Sequence, residues 1–168
     1  MRSDSEIYGP QPRIRPVETS HIADLIRIAE ETNLSHWSAQ SYVEEMKNPN
    51  AILLRLVGDD NITLGFVVGR IITAAHADYG HDADIYNIAV TKFEQRRGFG
   101  QLLFEAFRAK CTRGEVGNIW LEVRESNAAA IAFYERNGFS RVQTRNHFYE
   151  NPREHALLMR LPLKQSQA

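Results

Sequence analysis

The run Gln95-Arg96-Arg97-Gly98-Phe99-Gly100 is where this chain could hold an anion. Glycines let a backbone approach a ligand closely, and the first-turn N–H groups of a helix that starts there have no intrahelical partner. A pyrophosphate above them would gain charge-assisted hydrogen bonds and the positive end of the helix dipole, with Arg96 or Arg97 adding Coulombic attraction. Two glycines before a helix also mark a plain tight turn, so the run by itself leaves both readings open. A dinucleotide fingerprint is excluded, because no third glycine stands at the required offset and no acidic residue closes a strand about 20 residues on. A P-loop is excluded because no Lys-Ser or Lys-Thr follows the glycines.

Other side chains could do chemistry too. Glu122 lies in NIWLEV among apolar neighbours, where a carboxylate is unexpected unless it is paired, for instance with Arg124. Tyr134 stands seven positions after Asn127, about two helical turns, so both share one helix face and suit one ligand; Phe133, turned by about 100°, reads as the core residue. Cys111 is the only cysteine, so no intrachain disulfide forms. It sits in a helical pattern with no histidine nearby in sequence, which favours a buried thiol over a nucleophile. His76 and His81 fall in a polar interval whose spacing matches no ligand pattern, and no metal is assigned.

The elements that must position these groups read as one domain. The chain has 168 residues, 43% hydrophobic and 24% charged, enough to bury a core without disulfides or metals. A net charge of −1 removes the global case for a nucleic-acid or anionic-membrane partner. No long apolar run opens the chain, so cytoplasmic residence is expected. Polar tails are expected at 1–11 and 163–168, with the domain at 12–162. A strand at 13–17 leads to a helix capped by Thr19 or Ser20, with Ile22, Leu25, Ile26 and Ala29 at helical spacing and an end near Asn33. A shorter helix starts at Ser38, carries Tyr42 and Met46, and stops at Asn48 and Pro49. Strands at 51–57 and 62–72 flank the turn residues 58–61 and should form an antiparallel hairpin. A strand at 85–90, a helix at 99–110 with Leu102, Leu103, Ala106 and Phe107 inward, and a strand at 118–123 imply a parallel pair. A helix at 127–137 closed by Gly138 precedes strands at 139–146 and 156–161. The result is an α/β fold: a mixed, mostly antiparallel sheet with a central parallel strand pair and helices on both faces.

The ordered set NIAV, QRRGFG, WLEV and SNAAAIAFYERNGF resembles the GCN5-related N-acetyltransferase (GNAT) family over residues 12–161, and within it the RimI-like ribosomal-protein-alanine N-acetyltransferases. That resemblance implies acetyl-CoA as co-substrate and the N-terminal α-amine of a protein as acceptor, with a small-subunit ribosomal protein beginning with Ala as the candidate. It implies that Ile88, Ala89 and Val90 offer backbone groups to the pantetheine arm as an added strand would. It places Arg96, Arg97, Gly98, Phe99, Gly100 and Gln101 around the pyrophosphate and Asn127 near the cofactor's reactive end. Glu122 becomes the general base, and Tyr134 the acid that protonates the departing thiolate. The segment 145–154 resembles the acceptor-contacting loop, with Tyr149 as the substrate-binding residue. It departs from the group at Phe148 and His155, where relatives carry a tyrosine and an acidic residue.

Glu122 as a salt-bridged residue and Tyr134 as a packing aromatic remain the bland alternatives. The implied chemistry is direct attack of a neutral amine on the thioester, without an acyl-enzyme. An α-ammonium with pKa about 7.7 to 8.0 needs less help to deprotonate than a lysine at about 10.4, which favours the α-amine. The rivals are a GNAT enzyme for a small amine or lysine, separated by residues 21–46 and 149–154, and a non-catalytic acyl-CoA-binding module, which would not need Glu122 or Tyr134. Glu30, Glu31, Glu44 and Glu45 either guide a basic peptide end or form a solvated face.

Overall fold

A computed structural model describes residues 11–73 and 80–163. Nearly all of the expected tails, and His76, lie outside the described residues. The elements are β1 (Arg13–Pro16), a 3-10 turn (Thr19–His21), α1 (Ile22–Glu31), α2 (Ala39–Met46), β2 (Ala51–Val57), β3 (Thr63–Thr73) and β4 (His81–Val90). A second 3-10 turn (Lys92–Glu94), α3 (Phe99–Arg113), β5 (Val116–Arg124), α4 (Ala128–Arg136), β6 (Ser140–Glu150) and β7 (Arg153–Pro162) follow. The strands form one sheet in the order β1-β2-β3-β4-β5-β7-β6. β1–β2, β5–β7 and β6–β7 pair antiparallel and β4–β5 parallel, so the mixed α/β sheet expected from the residue pattern is present. Two compact units are distinguished, Met1–Val68 with Asn87–Ala109 and Gly69–Tyr86 with Lys110–Ala168; β3, β4 and α3 lend residues to both.

In the first unit, α1 buries Ile22, Leu25, Ile28 and Ala29. The inward stripe therefore uses Ile28 fully, while Ile26 is half-buried. The expected caps Thr19 and Ser20 lie inside the 3-10 turn, because Glu18 already starts it, its N–H donating to His21 Nδ1 at 3.0 Å. Ser38 caps α2 as expected, accepting from Ser41 N at 3.1 Å. Gly58 N donates to Ile62 O at 3.2 Å, so β2 and β3 are joined by a turn short enough to require an antiparallel hairpin. Buried Arg55 braces that turn from within through Asn61 O and Thr63 Oγ1, both at 3.2 Å. Gly65 is needed for a different reason: a Cβ there would stand 2.7 Å from Ala89 O, closer than side chains tolerate. On α3, Leu103, Phe104 and Phe107 are buried and Leu102 is 44% exposed, so the core stripe runs one position later than the spacing predicts.

In the second unit, β5 turns Ile119, Leu121 and Val123 inward beside Met159 and Leu157 of β7 and Ile131 of α4. Strand β4 begins at His81, inside the interval expected to be polar loop, because Asp82 ties the parallel pair together: Asn118 Nδ2 donates to its Oδ1 at 3.0 Å and Trp120 Nε1 to its Oδ2 at 2.9 Å. β6 and β7 also outrun their expected bounds, and the expected loop at 145–154 is mostly strand around a short turn. Cys111 is buried, and burial pushes its thiol up to about 12, which keeps it protonated and unreactive.

Candidate active site

The residues singled out by their chemistry fall in both units: 88–101 in the first, and Glu122, Asn127, Tyr134 and Tyr149 in the second.

In the first unit the loop after β4 is built to leave backbone donors uncovered. Arg96 and Gly98 both adopt positive φ, 63° and 79°. Gly98 is suited to that geometry, and a Cβ added there would meet nothing within 4 Å, so the space above the loop is open to a ligand. The first closing bond of α3 is Leu102 N to Gly98 O at 3.2 Å, which leaves the N–H groups of Phe99 and Gly100 without an intrahelical acceptor. This arrangement fits a pyrophosphate. The two arginines differ in role. Arg97 is ion-paired with Glu94 and lies over the Phe99 ring, 4.9 Å to its centroid, whereas Arg96 is exposed on the turn itself. Gln101 Nε2 donates along the helix to Glu105 at 2.9 Å. Ala89 and Val90 are buried and Ile88 half-buried. Val90 O already accepts from Gln95 Nε2 at 3.0 Å, a bond that locks the loop to the strand. Glu31 fixes the same strand end from α1: its carboxylate takes Thr91 Oγ1 at 2.6 Å and Arg27 Nη1 at 2.7 Å. The Thr91 bond holds that carboxyl below the usual range.

The acidic helix residues do not form one free patch. Glu44 pairs with Lys47 at 2.8 Å, Glu45 is only 5% exposed, and Glu30 stands on an exposed face.

In the second unit the parallel ladder runs from His81–Val116 to Ile85–Leu121 and stops, although β5 continues to Arg124. Glu122 is the first β5 residue past that point. It is salt-bridged, as the bland reading requires, but to Arg145 of β6. Arg124 instead reaches the β6–β7 turn and pairs with Glu154 at 3.3 Å. Asp84, on the same side of the sheet, has its carboxyl pushed up by burial and by the nearby charges of Glu122 and Asp82, with Arg70 opposing.

Asn127 and Tyr134 differ in exposure. Asn127 is the N-cap of α4, its side-chain oxygen accepting from Ala130 N at 3.1 Å, and it is exposed, while Tyr134 is buried at 7% exposure. The first of the two thus stands at the helix end, where its oxygen is taken up by the cap. Tyr134, not Phe133, is the core residue: its ring stands edge-on to Phe133 and Phe139, both at 5.4 Å, and Phe133 is half-buried. Burial, and secondarily Tyr149, push the Tyr134 phenol upward, so it remains a neutral donor. Tyr149 is half-buried and likewise pushed up, chiefly by burial, with Arg124 opposing and Glu122 and Glu154 reinforcing.

The sequence pattern of the acetyltransferase (GNAT) family matches residues 22–139, most of the chain and both halves of this arrangement. The chain belongs to the GNAT acetyltransferase family. As a GNAT enzyme it is an N-acetyltransferase with acetyl-CoA as donor. It is 30% identical over 149 residues to the [ribosomal protein bS18]-alanine N-acetyltransferase of Salmonella typhimurium, covering 88% of this chain and 95% of that protein. The Escherichia coli K12 protein of the same name is 43% identical over 84 residues, 49% of this chain and 57% of its own length. The crystal structure of the ribosomal-protein-S18-alanine N-acetyltransferase from Escherichia coli superposes with a TM-score of 0.77 at 29% identity, covering 94% of this chain and 96% of that one. No helix of this GNAT chain, among the described residues, is long and apolar enough to cross a membrane. No group of three or more His, Cys, Asp or Glu side chains that could hold a metal ion occurs among them.

Sequence reasoning missed several residues that shape the site. Gly65 leaves room for β4, and Gln95 and Glu31, which the sequence marks for other reasons, tie β4's end and its loop. Arg145 pairs with Glu122, and Glu154 takes Arg124, the partner the sequence suggests for Glu122. Only Gln95 carries a local signal, its place in the QRRGFG run.

Proposed function

We propose that this GNAT enzyme acetylates the N-terminal α-amine of a ribosomal protein, with the alanine terminus of bS18 as acceptor. The observation that supports this most is the reach of the likeness to bS18-alanine N-acetyltransferases, which covers 88% of this chain and 95% of a relative's length and so extends well beyond the proposed cofactor loop. Gly98, Phe99, Gly100 and Gln101 receive the pyrophosphate with Arg96 adding charge, and Arg97 holds the loop's shape. Ile88, Ala89 and Val90 receive the pantetheine arm. Asn127 offers its amide Nδ2, since its oxygen caps α4. Tyr149 contacts the acceptor.

Roughly a tenth of α-amines with pKa near 8 are neutral at pH 7, so a nucleophile is available without a strong base. Attack forms the N–C bond and leaves the nitrogen cationic. The Glu122 carboxylate, oriented by Arg145, accepts that proton directly or through water. As the C–S bond breaks, the electron pair goes to sulfur, and the neutral Tyr134 phenol donates to it. Proximity of the two substrates supplies most of the acceleration.

Steady-state kinetics that read release of free CoA test the acceptor class. A peptide with the bS18 N-terminus should show kcat/KM at least about tenfold above a polyamine, some 1.4 kcal/mol in transition-state energy. Equal or faster turnover of the polyamine would contradict the reading.

A further inference from the structure

Arg124 gathers partners around the β6–β7 turn, and neither Glu122 nor Tyr134 is among them. It lies two positions beyond Glu122 on the same face of β5. Its Nη1 donates to Pro152 O at 3.0 Å and its Nη2 to Asn151 O at 3.1 Å, so the guanidinium closes over both carbonyls of the β6–β7 turn. The Glu154 carboxylate is paired with Nη1 at 3.3 Å, and both side chains are mostly buried, 20% and 17% exposed. The Tyr149 ring lies against the guanidinium face, 4.1 Å from its centroid to Cζ. The other Glu154 oxygen accepts from Ser126 N at 2.6 Å, and Glu125 N donates to His155 O at 3.1 Å. Ser126 directly precedes the cap of α4, the helix that carries Tyr134.

We infer that Arg124, held by Glu154, is the positioning residue of acceptor binding, acting through Tyr149 by fixing its ring and the hairpin tip against the turn that leads into α4. This rests on the reading of Tyr149 as an acceptor contact. A planar guanidinium suits the task, because only a fork can serve two carbonyls and a carboxylate while presenting a flat face to a phenol ring. Lysine keeps the charge, but its three donors radiate from one nitrogen and it has no flat face for the ring. Arg124 touches neither donor nor acceptor, so its effect belongs in acceptor KM.

The test is a double-mutant cycle on the full chain with a bS18 N-terminal peptide. Arg124→Met is expected to raise acceptor KM about tenfold or more and Arg124→Lys by less, with CoA affinity by calorimetry changed less than about twofold. Tyr149→Leu should raise acceptor KM too, and adding Arg124→Met to it should cost little more, because the arginine acts through the ring. Additive losses, or a lowered Tm with CoA affinity and kcat falling together, would make Arg124 a general structural residue and overturn the inference. An unchanged acceptor KM in Arg124→Met, where Tyr149→Leu is impaired, would overturn it as well. If Tyr149→Leu itself leaves acceptor KM unchanged, the assignment of Tyr149 to the acceptor fails and the inference falls with it. Glu154→Gln provides a milder check in the same direction if Arg124→Met does not fold.

Discussion

In the proposed cofactor loop the backbone is the part left open to bind, and the side chains hold the backbone. Gly98 and the first turn of α3 present N–H groups, while Gln95, Glu94 and Arg97 are occupied within the loop. At the proposed acceptor end the relation is reversed. There the strands are a frame, and Glu122, Arg145, Arg124, Glu154 and Tyr149 are side chains whose contacts join positions as far as 30 apart in sequence. A backbone site needs consecutive residues of defined conformation, so it tolerates change almost anywhere except its glycines. A side-chain site depends on strand register and on each charged partner, so it can be retuned by one substitution.

That contrast predicts where damage is greatest. Glu122→Gln should lower kcat by about a hundredfold or more with CoA affinity nearly unchanged, since general-base catalysis is typically worth ~10² to 10⁴. Wild-type turnover in that variant would reduce Glu122 to a salt-bridged strand residue. Gly98→Val attacks the other region. A side chain there strains a positive-φ position and intrudes into the open space above it, so calorimetry should show CoA binding weakened about tenfold to a hundredfold, roughly the value of one charge-assisted hydrogen bond. Unchanged affinity in a folded protein would remove the pyrophosphate from this loop.

Arg145→Met sharpens the comparison. It leaves every proposed reacting group in place and removes only the partner that orients Glu122, so kcat should fall about tenfold, clearly less than for Glu122→Gln. A loss equal to that of Glu122→Gln would make the guanidinium itself a reacting-site group. The smallest effect is on stability. The Asp84 carboxyl is held above its ordinary range by burial and by Glu122 and Asp82, so the folded state binds its proton more readily than the unfolded chain does. Its ionisation therefore costs stability as pH rises above the unfolded value near 3.9 through the higher folded one. Asp84→Asn should raise Tm at neutral pH, and the gain should vanish near pH 3. A lower Tm at neutral pH would show the carboxylate to be stabilising.

The same division decides what was legible in the residues alone. The loop at Gln95–Gly100 reads directly, because glycine, arginine and a helix start are consecutive, and the strand–helix–strand order around it predicts the parallel pair. Long regular segments read well for the same reason. The inward stripe of α3 was misjudged at Leu102 because a helix with apolar residues on more than one face does not declare which is covered until the sheet is in place. The spacing of Asn127 and Tyr134 does not reveal that Asn127 is the cap of α4, its oxygen committed to Ala130 N. Glu122 stood out as an anomalous carboxylate, yet its partner could not be read, since the choice between Arg124 and Arg145 is made by the register of β5, β7 and β6. The extension of β6 past Asn146 and of β7 back to Arg153 is not legible, because these positions are mostly exposed and carry no alternation of apolar and polar residues.

The central claim, acetyl transfer to a protein α-amine, is tested most directly by locating the label. The protein is incubated with acetyl-CoA and two peptides of one sequence, the bS18 N-terminus followed by an internal lysine. One peptide has a free terminus and the other a blocked terminus with the lysine free. Fragmentation mass spectrometry then assigns each added acetyl group to a nitrogen. The account predicts label on the terminal nitrogen of the first peptide, at least about tenfold faster than on any lysine. Label on lysine at an equal or higher rate, in either peptide, would contradict it.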